Sequence, residues 1–514
     1  MSSICAKQWK EELPEFREKT AAFYSGEMNK GAYKGFSGFY GSYAQKDGKA
    51  SMLRLRMPAG RVSKEHLAFV AEMIRKYHLT KVHFTTCQTI QLHNLGPEIV
   101  ADVMEDALDA GIVTIGGGGD YPRNVMCSPL SGVETGEYFD VLPWAMEAGR
   151  YLLQFIKAEK MPRKLKVGFS NSPRNLTHAT YRDLGFAARE DGCFDVYSAG
   201  GLGNHARMGV KIAEAVKPEK ILFYIKAMWL TFRAYGNYEN RGKARTRYMQ
   251  EALGGPDQYR ETFLQKLKEV EASGENLDIF PETAEVTKAG AGHHEETFRV
   301  RRQKKPGLYT VVWHPLGGQP RMDSLTALAE AVKDMEAVEL RLAPDETAYI
   351  INLTADEADK VLEAVPDSAA SLFETSVSCI GASICQVGLR DSQELLAACV
   401  QAVRQAGIED GALPQIHISG CPSSCGTHQT GAIGFRGAGR MIDGKSQPGF
   451  MVYVHGREEQ GQEAFGRELG VMLTERIPEF LTALGKAVQE TGMDYEAWNR
   501  KNPQALERLA ADYL

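Results

Sequence analysis

No stretch of the 514 residues approaches the roughly 18 to 20 uncharged apolar residues of a membrane-crossing helix, so no membrane span is expected. A basic excess is missing too. Sixty Lys and Arg stand against 66 Asp and Glu, a formal net charge of −6, which argues against nucleic acid as a partner and confines any anion chemistry to local sites. The N-terminus lacks a basic segment followed by an apolar run, so no secretory signal is expected and the cytoplasm is the expected location. Nine cysteines, an odd count, make a poor disulfide framework; they are expected to stay reduced unless they bind metal or do chemistry. What the chain does have is 43% hydrophobic and 25% charged residues, the balance of a globular protein with material for several cores. Its length suggests about three or four structural units. Glycine is abundant, at 51 residues, and falls inside otherwise structured stretches, where it permits close backbone approach.

The order of elements repeats along the chain. Met52 to Met57 alternates like a strand, and Ser63 caps a helix faced by Leu67, Val70, Ala71 and Ile74. Strands follow at Lys81 to Thr85 and Ile90 to Leu95, then a helix that Pro97 opens and Gly111 closes. The same order returns in the strand Tyr309 to His314, a helix beginning at Ser324, the alternating Val338, Leu340 and Leu342, and the strand Ala348 to Leu353. A further helix starts with the capping box Thr354 and Glu357. Landmarks recur in one order at an offset of roughly 250 residues: Pro58-Ala59-Gly60 with Pro315-Leu316-Gly317, Asn94-Leu95 with Asn352-Leu353, Cys127 with Cys379, Thr177-His178 with Thr427-His428, and Gly185-Phe186 with Gly434-Phe435. We read an internal duplication with pseudo-two-fold architecture.

Cysteines distinguish the halves. Cys379 and Cys385 form C-x5-C and Cys421 and Cys425 form C-x3-C, both in loops rich in small residues. Four thiolates from two such loops can hold one 4Fe-4S cluster, with one soft ligand for each iron corner. Zinc competes, although its paired cysteines usually have two to four residues between them. Four buried, unliganded cysteines are the bland alternative. Cys5, Cys87, Cys193 and Cys399 have no partner pattern and read as unliganded.

With this cysteine signature in a duplicated chain, the sequence from about residue 40 onward resembles the sulfite and nitrite reductases that carry sirohaem coupled to a 4Fe-4S cluster, nearest to the assimilatory sulfite reductase haemoprotein. The resemblance also rests on Met52-Leu53-Arg54-Leu55-Arg56-Met57-Pro58, Pro122-Arg123-Asn124-Val125, Pro162-Arg163-Lys164-Leu165-Lys166 and Gly200-Gly201-Leu202-Gly203-Asn204. It implies an α+β fold with two ferredoxin-like half-domains and two sirohaem- and cluster-binding α/β domains. The expected divisions are an N-terminal extension (1–39), a first ferredoxin-like half (40–115), a first sirohaem-binding domain without a cluster (116–290), a second ferredoxin-like half (291–368) and a cluster- and sirohaem-binding domain (369–514). It further implies that Cys425 is both cluster ligand and proximal ligand of the sirohaem iron.

Sirohaem bears eight carboxylates, and sulfite and nitrite are anions, so such a site needs fixed cations. Arg54, Arg123, Lys164 and Lys166 match the family's distal pocket and are the expected catalytic residues. The arginines act as electrostatic clamps and the lysines as proton donors or relays, since a lysine pKa falls when the group is desolvated among other cations. On a strand, Lys164 and Lys166 project from one face, as do Arg54 and Arg56; solvated charges on strand edges are the competing reading. Arg56, Thr85, Gln91, His93, Asn124, Gly201, Gly203 and Arg207 are the further residues expected at the cofactor. A hydrogen-bonded structural role remains open for His93, and an ordinary turn for the glycines. Arg241, Arg245 and Arg247 resemble another basic segment of the family, or form an exposed helix face. Cys87 departs from the pattern, because the family usually has arginine there; His83 is a candidate substitute. The basic run Arg301 to Lys305 reads as a solvated connection between the halves.

The resemblance implies six-electron reduction of sulfite to sulfide, or of nitrite to ammonia. Two ammonium groups favour the dianion sulfite. The chain has neither a second cysteine cluster of ferredoxin spacing nor the glycine pattern of a dinucleotide fold, so electrons are expected from a separate ferredoxin or flavoprotein. A cofactor-free duplicated binding protein, or a sirohaem carrier without catalysis, is the alternative from a different class.

Overall fold

The computed structural model describes residues 9–514 apart from Glu159 and Ala284. Residues 1–8, which include Cys5 and the beginning of the expected N-terminal extension, lie outside the described residues. Strands β1 (Ser42–Ala44), β2 (Ser51–Leu55), β4 (Val82–Phe84) and β5 (Ile90–Leu95) form an antiparallel sheet in the order β1-β2-β5-β4, while β3 (Arg61–Val62) leaves it for another sheet. The helix Lys64–Tyr77 starts where the Ser63 side chain accepts a hydrogen bond from the His66 N–H. It buries the expected stripe, Leu67, Val70, Ala71 and Ile74, and Phe69 and Met73 as well, because it packs against the helix Met322–Val332 of the second half.

The next sheet holds β6 (Met126–Cys127), β7 (Val167–Ser170), β8 (Leu184–Ala188), β9 (Phe194–Ser198) and β10 (Val210–Val216). The first three run parallel and the last two return antiparallel. A third sheet, of β11 (Val300–Arg302), β12 (Tyr309–Trp313), β13 (Glu339–Leu342) and β14 (Ala348–Leu353), repeats the first and adds β3 at its edge, in the order β11-β12-β14-β13-β3. The fourth, β15 (Val377–Ser378), β16 (Ile416–Ser419), β17 (Ile433–Ile442), β18 (Lys445–Val454) and β19 (Arg467–Leu473), repeats the second strand for strand: three parallel, then two antiparallel. The two ferredoxin-like units share one core, in which Leu53 and Leu92 of one join Val311 and Ile350 of the other; the second and fourth sheets each have their own. The run from Arg301 is partly a strand rather than a connection alone, although Arg302 and Lys304 stay exposed. Arg301 and Arg302 pair with Thr310 and Tyr309 in edge strand β11, and Lys304 bonds Glu137 at 2.8 Å.

Backbone shape fixes the register of the duplication more firmly than residue identity. Asn94 and Asn352 hold left-handed φ values of 60° and 63°, which asparagine tolerates, and their match stands. So does Gly185 with Gly434, where a Cβ would lie 1.7 Å from Ala179 O or 1.8 Å from His428 O. The other three matches slip by one residue. Ala59 (φ 56°) corresponds to Gly317 (φ 57°), and His178 (φ 59°) to Thr427 (φ 51°). Cys379 corresponds to Ser128: each donates its N–H to the neighbouring strand, Ser128 to Phe169 O at 3.0 Å and Cys379 to Ile418 O at 3.1 Å. Among the described residues, no helix is long and apolar enough to cross a membrane.

Candidate active site

The two cysteine loops close on each other through small residues. Cys379 Sγ, just past β15, accepts the Gly420 N–H at 3.2 Å and lies 3.1 Å from Ser392 Oγ. A Cβ at Gly420 would stand 2.4 Å from Arg390 O, and one at Gly426 would stand 2.1 Å from Ile418 O, so neither position admits a side chain. Burial pushes the Cys379 thiol up to about 12, with Cys425 adding to the shift. Cys425 is also raised by burial, with Cys385 and Cys421 nearby and Lys164 pulling the other way. Yet Cys425 is exposed to solvent while Cys421 is buried. Exposed as a residue but set among groups that desolvate its thiol, Cys425 lies at an opening in the protein surface. Among the described residues, no three His, Cys, Asp or Glu side chains converge on a single-ion position. Four soft thiol donors on two facing loops match the one thiolate per iron corner that a 4Fe-4S cluster takes. The donor set fits the cluster.

Cations gather near this opening. Arg54 Nη1 and Arg123 Nη1 both donate to Gly117 O at 2.5 Å, and Arg123 Nη2 donates to Gly119 O at 2.7 Å. Lys164 and Lys166 flank Leu165, whose backbone bridges to Pro122 and whose side chain is fully buried. They lie just before β7 rather than within it, but in extended chain their side chains alternate away from that of Leu165. Burial, then Lys166, Arg245 and Arg123, hold Lys164 well below the usual lysine range. Burial and Arg54 bring Arg123 down to about 10. Against these stands the buried Asp183, which accepts from the Lys166 N–H (2.8 Å), Arg245 Nη2 (3.0 Å) and Thr246 Oγ1. Arg123 Nε, Arg245 Nε and Arg247 Nη1 are buried without hydrogen-bond partners. Like charges crowded out of water, with donors left over, fit an anionic occupant bearing several acceptors.

The glycine segment is pinned beside the C-x3-C loop. Gly203 exchanges two hydrogen bonds with the Gln429 amide, at 3.1 and 2.8 Å. A Cβ on Gly203 (φ 99°) would lie 3.4 Å from Arg247 Nη2 and 3.5 Å from Pro422 O, and one on Gly201 would lie 3.6 Å from Arg247.

Several expected residues make bonds within the protein. All the bonds of the Arg56 guanidinium go to carbonyls, those of Ile115, Pro122 and Arg123, and burial, with Arg123 and Arg54, lowers it to about 9; it holds the loop that carries Arg123. Arg207 is half-buried and pairs with Glu251 at 3.2 Å. Thr85 Oγ1 contacts Thr89 Oγ1 and accepts the Cys87 and Thr89 N–H groups, closing the turn after β4. Gln91 Oε1 lies 3.2 Å from His83 Nδ1 and 3.2 Å from His93 Nε2, and an amide oxygen can only accept, so both ring nitrogens carry protons. His93 Nδ1 then accepts from Gln45 Nε2 at 3.4 Å, which satisfies the ring within the protein. His83 faces Glu346 at 3.4 Å rather than taking the place of the missing arginine. Asn124 Nδ2 donates to the Cys87 and Gln88 carbonyls. Arg241 pairs with Asp120, whereas Arg245 and Arg247 turn inward, so the segment is not one exposed face. Sequence reasoning missed Asp183 and Arg182, which carry no motif. It also missed the contact between Lys166 Nζ and Cys87 Sγ, 3.1 Å apart.

Comparison with known proteins agrees with this architecture. The family model described as "Nitrite/Sulfite reductase ferredoxin-like half domain" matches residues 43–110, and "Nitrite and sulphite reductase 4Fe-4S domain" matches 118–270. A ferredoxin–nitrite reductase of Leptolyngbya laminosa is 26% identical over 442 residues, 83% of each chain. A ferredoxin sulfite reductase 1 of Mycolicibacterium paratuberculosis is 24% identical, covering 84% of this chain and 79% of its own. In fold, the chain is similar to the Mycobacterium tuberculosis NirA protein, with a TM-score of 0.75 and 22% identity over 92% of both chains. Residues 43–110 and 118–270 thus carry the two domain types of the nitrite and sulfite reductases, and the duplicated sheets with four cysteines in the second copy are similar to that family over most of the chain.

Proposed function

We propose that this protein catalyses the six-electron reduction of sulfite to sulfide at the opening beside Cys425, with electrons from an external ferredoxin or flavoprotein. Cys379, Cys385, Cys421 and Cys425 would hold the 4Fe-4S cluster, and Cys425, the exposed one nearest Lys164 and Lys166, would also hold sirohaem. The pair, when bound, delivers electrons to the central atom of the anion. The observation that carries the reading is the exposed Cys425 with Lys164 and Lys166 near it, Arg123 near Lys164 and Arg54 near Arg123.

The chain's own groups bind the anion and handle its protons. Arg54 and Arg123, tied to one carbonyl, are held side by side before any substrate arrives, so little reorganisation is needed when their remaining donors meet oxyanion oxygens. Oxygens leave as water and need protons. Lys164, with its lowered pKa, gives up a proton more readily than an ordinary lysine, and Lys166 stands beside it in the same cluster. Arg245 and Arg247, with buried donors to spare and with Gly201 and Gly203 beside Arg247, take cofactor carboxylates. Arg56 and Asn124 act as positioning residues. The units 40–115, 116–290, 291–368 and 369–514 are the proposed domains.

A second reading, nitrite to ammonia at the same site, is favoured by one observation. Lys166 Nζ is engaged by Cys87 Sγ, so the paired-ammonium argument for a dianion loses strength. Iron and acid-labile sulfide analysis with an absorption spectrum, followed by kcat/KM for both anions with a chemical reductant, tests the proposal. Higher kcat/KM for sulfite is the expected result. A nitrite preference reverses the order, and a colourless, iron-free protein after reconstitution ends the enzyme reading in favour of a binding protein.

A further inference from the structure

Cys87 occupies a turn that leaves its sulfur little freedom. Thr85 N–H donates to Thr89 O at 3.0 Å across the turn, and Gln88 takes a left-handed φ of 54°. The turn is fastened at two outside points. Asn124 Nδ2 reaches the Cys87 carbonyl at 3.3 Å, and Thr86 Oγ1 donates to the Cys425 carbonyl at 2.8 Å. Lys166 is anchored from its own side, since its N–H donates to Asp183 Oδ2. Two fixed backbones thus bring Lys166 Nζ to 3.1 Å from Cys87 Sγ. The wider surroundings of the sulfur are also cationic. Burial alone would raise its pKa, but Lys166, Arg182 and Lys164 bring it down to about 6.

Resting on the proposed oxyanion pocket, we propose that Cys87 is a specificity-determining residue: its sulfur, paired with the Lys166 ammonium, removes one unit of positive charge from the pocket and shifts preference from a dianion toward a monoanion. A charge acts on a dianion with twice the energy it exerts on a monoanion at the same distance, so cancelling one costs sulfite more than nitrite.

The test compares holoprotein of the wild type, Cys87→Ser and Cys87→Asp by titrating the visible spectrum with sulfite and with nitrite at one pH and low salt. Cys87→Ser should raise the affinity for sulfite relative to nitrite about five- to tenfold, a range set by one partly screened charge. Cys87→Asp, which keeps a negative charge beside Lys166, should leave the ratio within about twofold of wild type. No shift in Cys87→Ser, or the same shift in both variants, overturns the proposal. The pairing has a second readout, the rate at which iodoacetamide alkylates Cys87, followed by mass spectrometry of its peptide at neutral pH. Thiolate reacts and thiol does not, so Lys166→Met should slow that rate about fivefold or more; equal rates overturn the pairing. This rate can be measured whether or not haem and cluster are bound, so a failure of the enzyme reading is distinguishable from a failure of the charge pair.

Discussion

The loops Ser172-Pro173-Arg174-Asn175-Leu176 and Cys421-Pro422-Ser423-Ser424-Cys425 follow equivalent strands, β7 and β16, and share a backbone: Asn175 has φ 51° and Ser424 has φ 53°. Their chemistry differs at three equivalent places, where Ser128, Ser172 and Leu176 stand for Cys379, Cys421 and Cys425. The first copy instead contributes Arg123, Lys164 and Lys166. Duplication has produced a division of labour, in which one copy brings thiols and the other brings ammonium and guanidinium groups. The same turn geometry serves both, so what separates a cluster loop from an inert one is side-chain chemistry rather than fold.

The largest effect should come from making the second loop chemically like the first. Cys425→Ser should lower turnover by about a hundredfold or more, since even outer partners of metal ligands cost ten- to a hundredfold, and acid-labile sulfide should fall with it. The converse change, Ser172→Cys, should add no iron on elemental analysis, because Leu176 and Ser128 supply no thiols. A smaller effect concerns the contact that joins the copies. Glu458 accepts from His178 Nε2 at 3.1 Å and from Thr430 Oγ1 at 2.6 Å, and its carbonyl accepts from Asn175 Nδ2 at 2.9 Å. Burial opposes its ionisation, yet His178 and then His417 hold its carboxyl down to about 2. Glu458→Gln should cost about 2 kcal/mol at neutral pH, read as a lower melting temperature. Because the folded pKa is depressed, the advantage of the wild type is present above the unfolded value and fades as pH falls from about 4.3 toward 2. The smallest effect belongs to the capping box of the second ferredoxin-like half. Thr354→Ala should cost about 1 kcal/mol in thermal or urea unfolding, as Thr354 and Glu357 exchange bonds at 3.4 and 2.8 Å.

Local rules made much of this architecture legible. The Ser63 cap, the Thr354 box and the strand Ala348–Leu353 follow from periodicity and side-chain chemistry that act within a few residues. Cys127 with Cys379 and Thr177-His178 with Thr427-His428 misled by one position, since identity preserves composition but backbone φ preserves register. The contacts of the site candidates have one origin. Arg56, Arg207 and His93 are the right residue types for a cofactor, but their partners, the Pro122 carbonyl, Glu251 and the Gln45–Gln91 pair, are set by tertiary packing. Asp183 and Cys87 acquire meaning only when the turn after β4 is brought against the segment before β7.

Strand β3 ties these observations to synthesis. Residues 61 and 62 find their partners only at Arg341 and Leu340, so a ribosome must extend the chain by some 280 residues before that edge is covered, an interval of about 15 to 60 seconds at ordinary elongation rates. Throughout it the nascent amino-terminal portion exposes an open ladder, and a truncated message ending before the third sheet leaves it exposed for good.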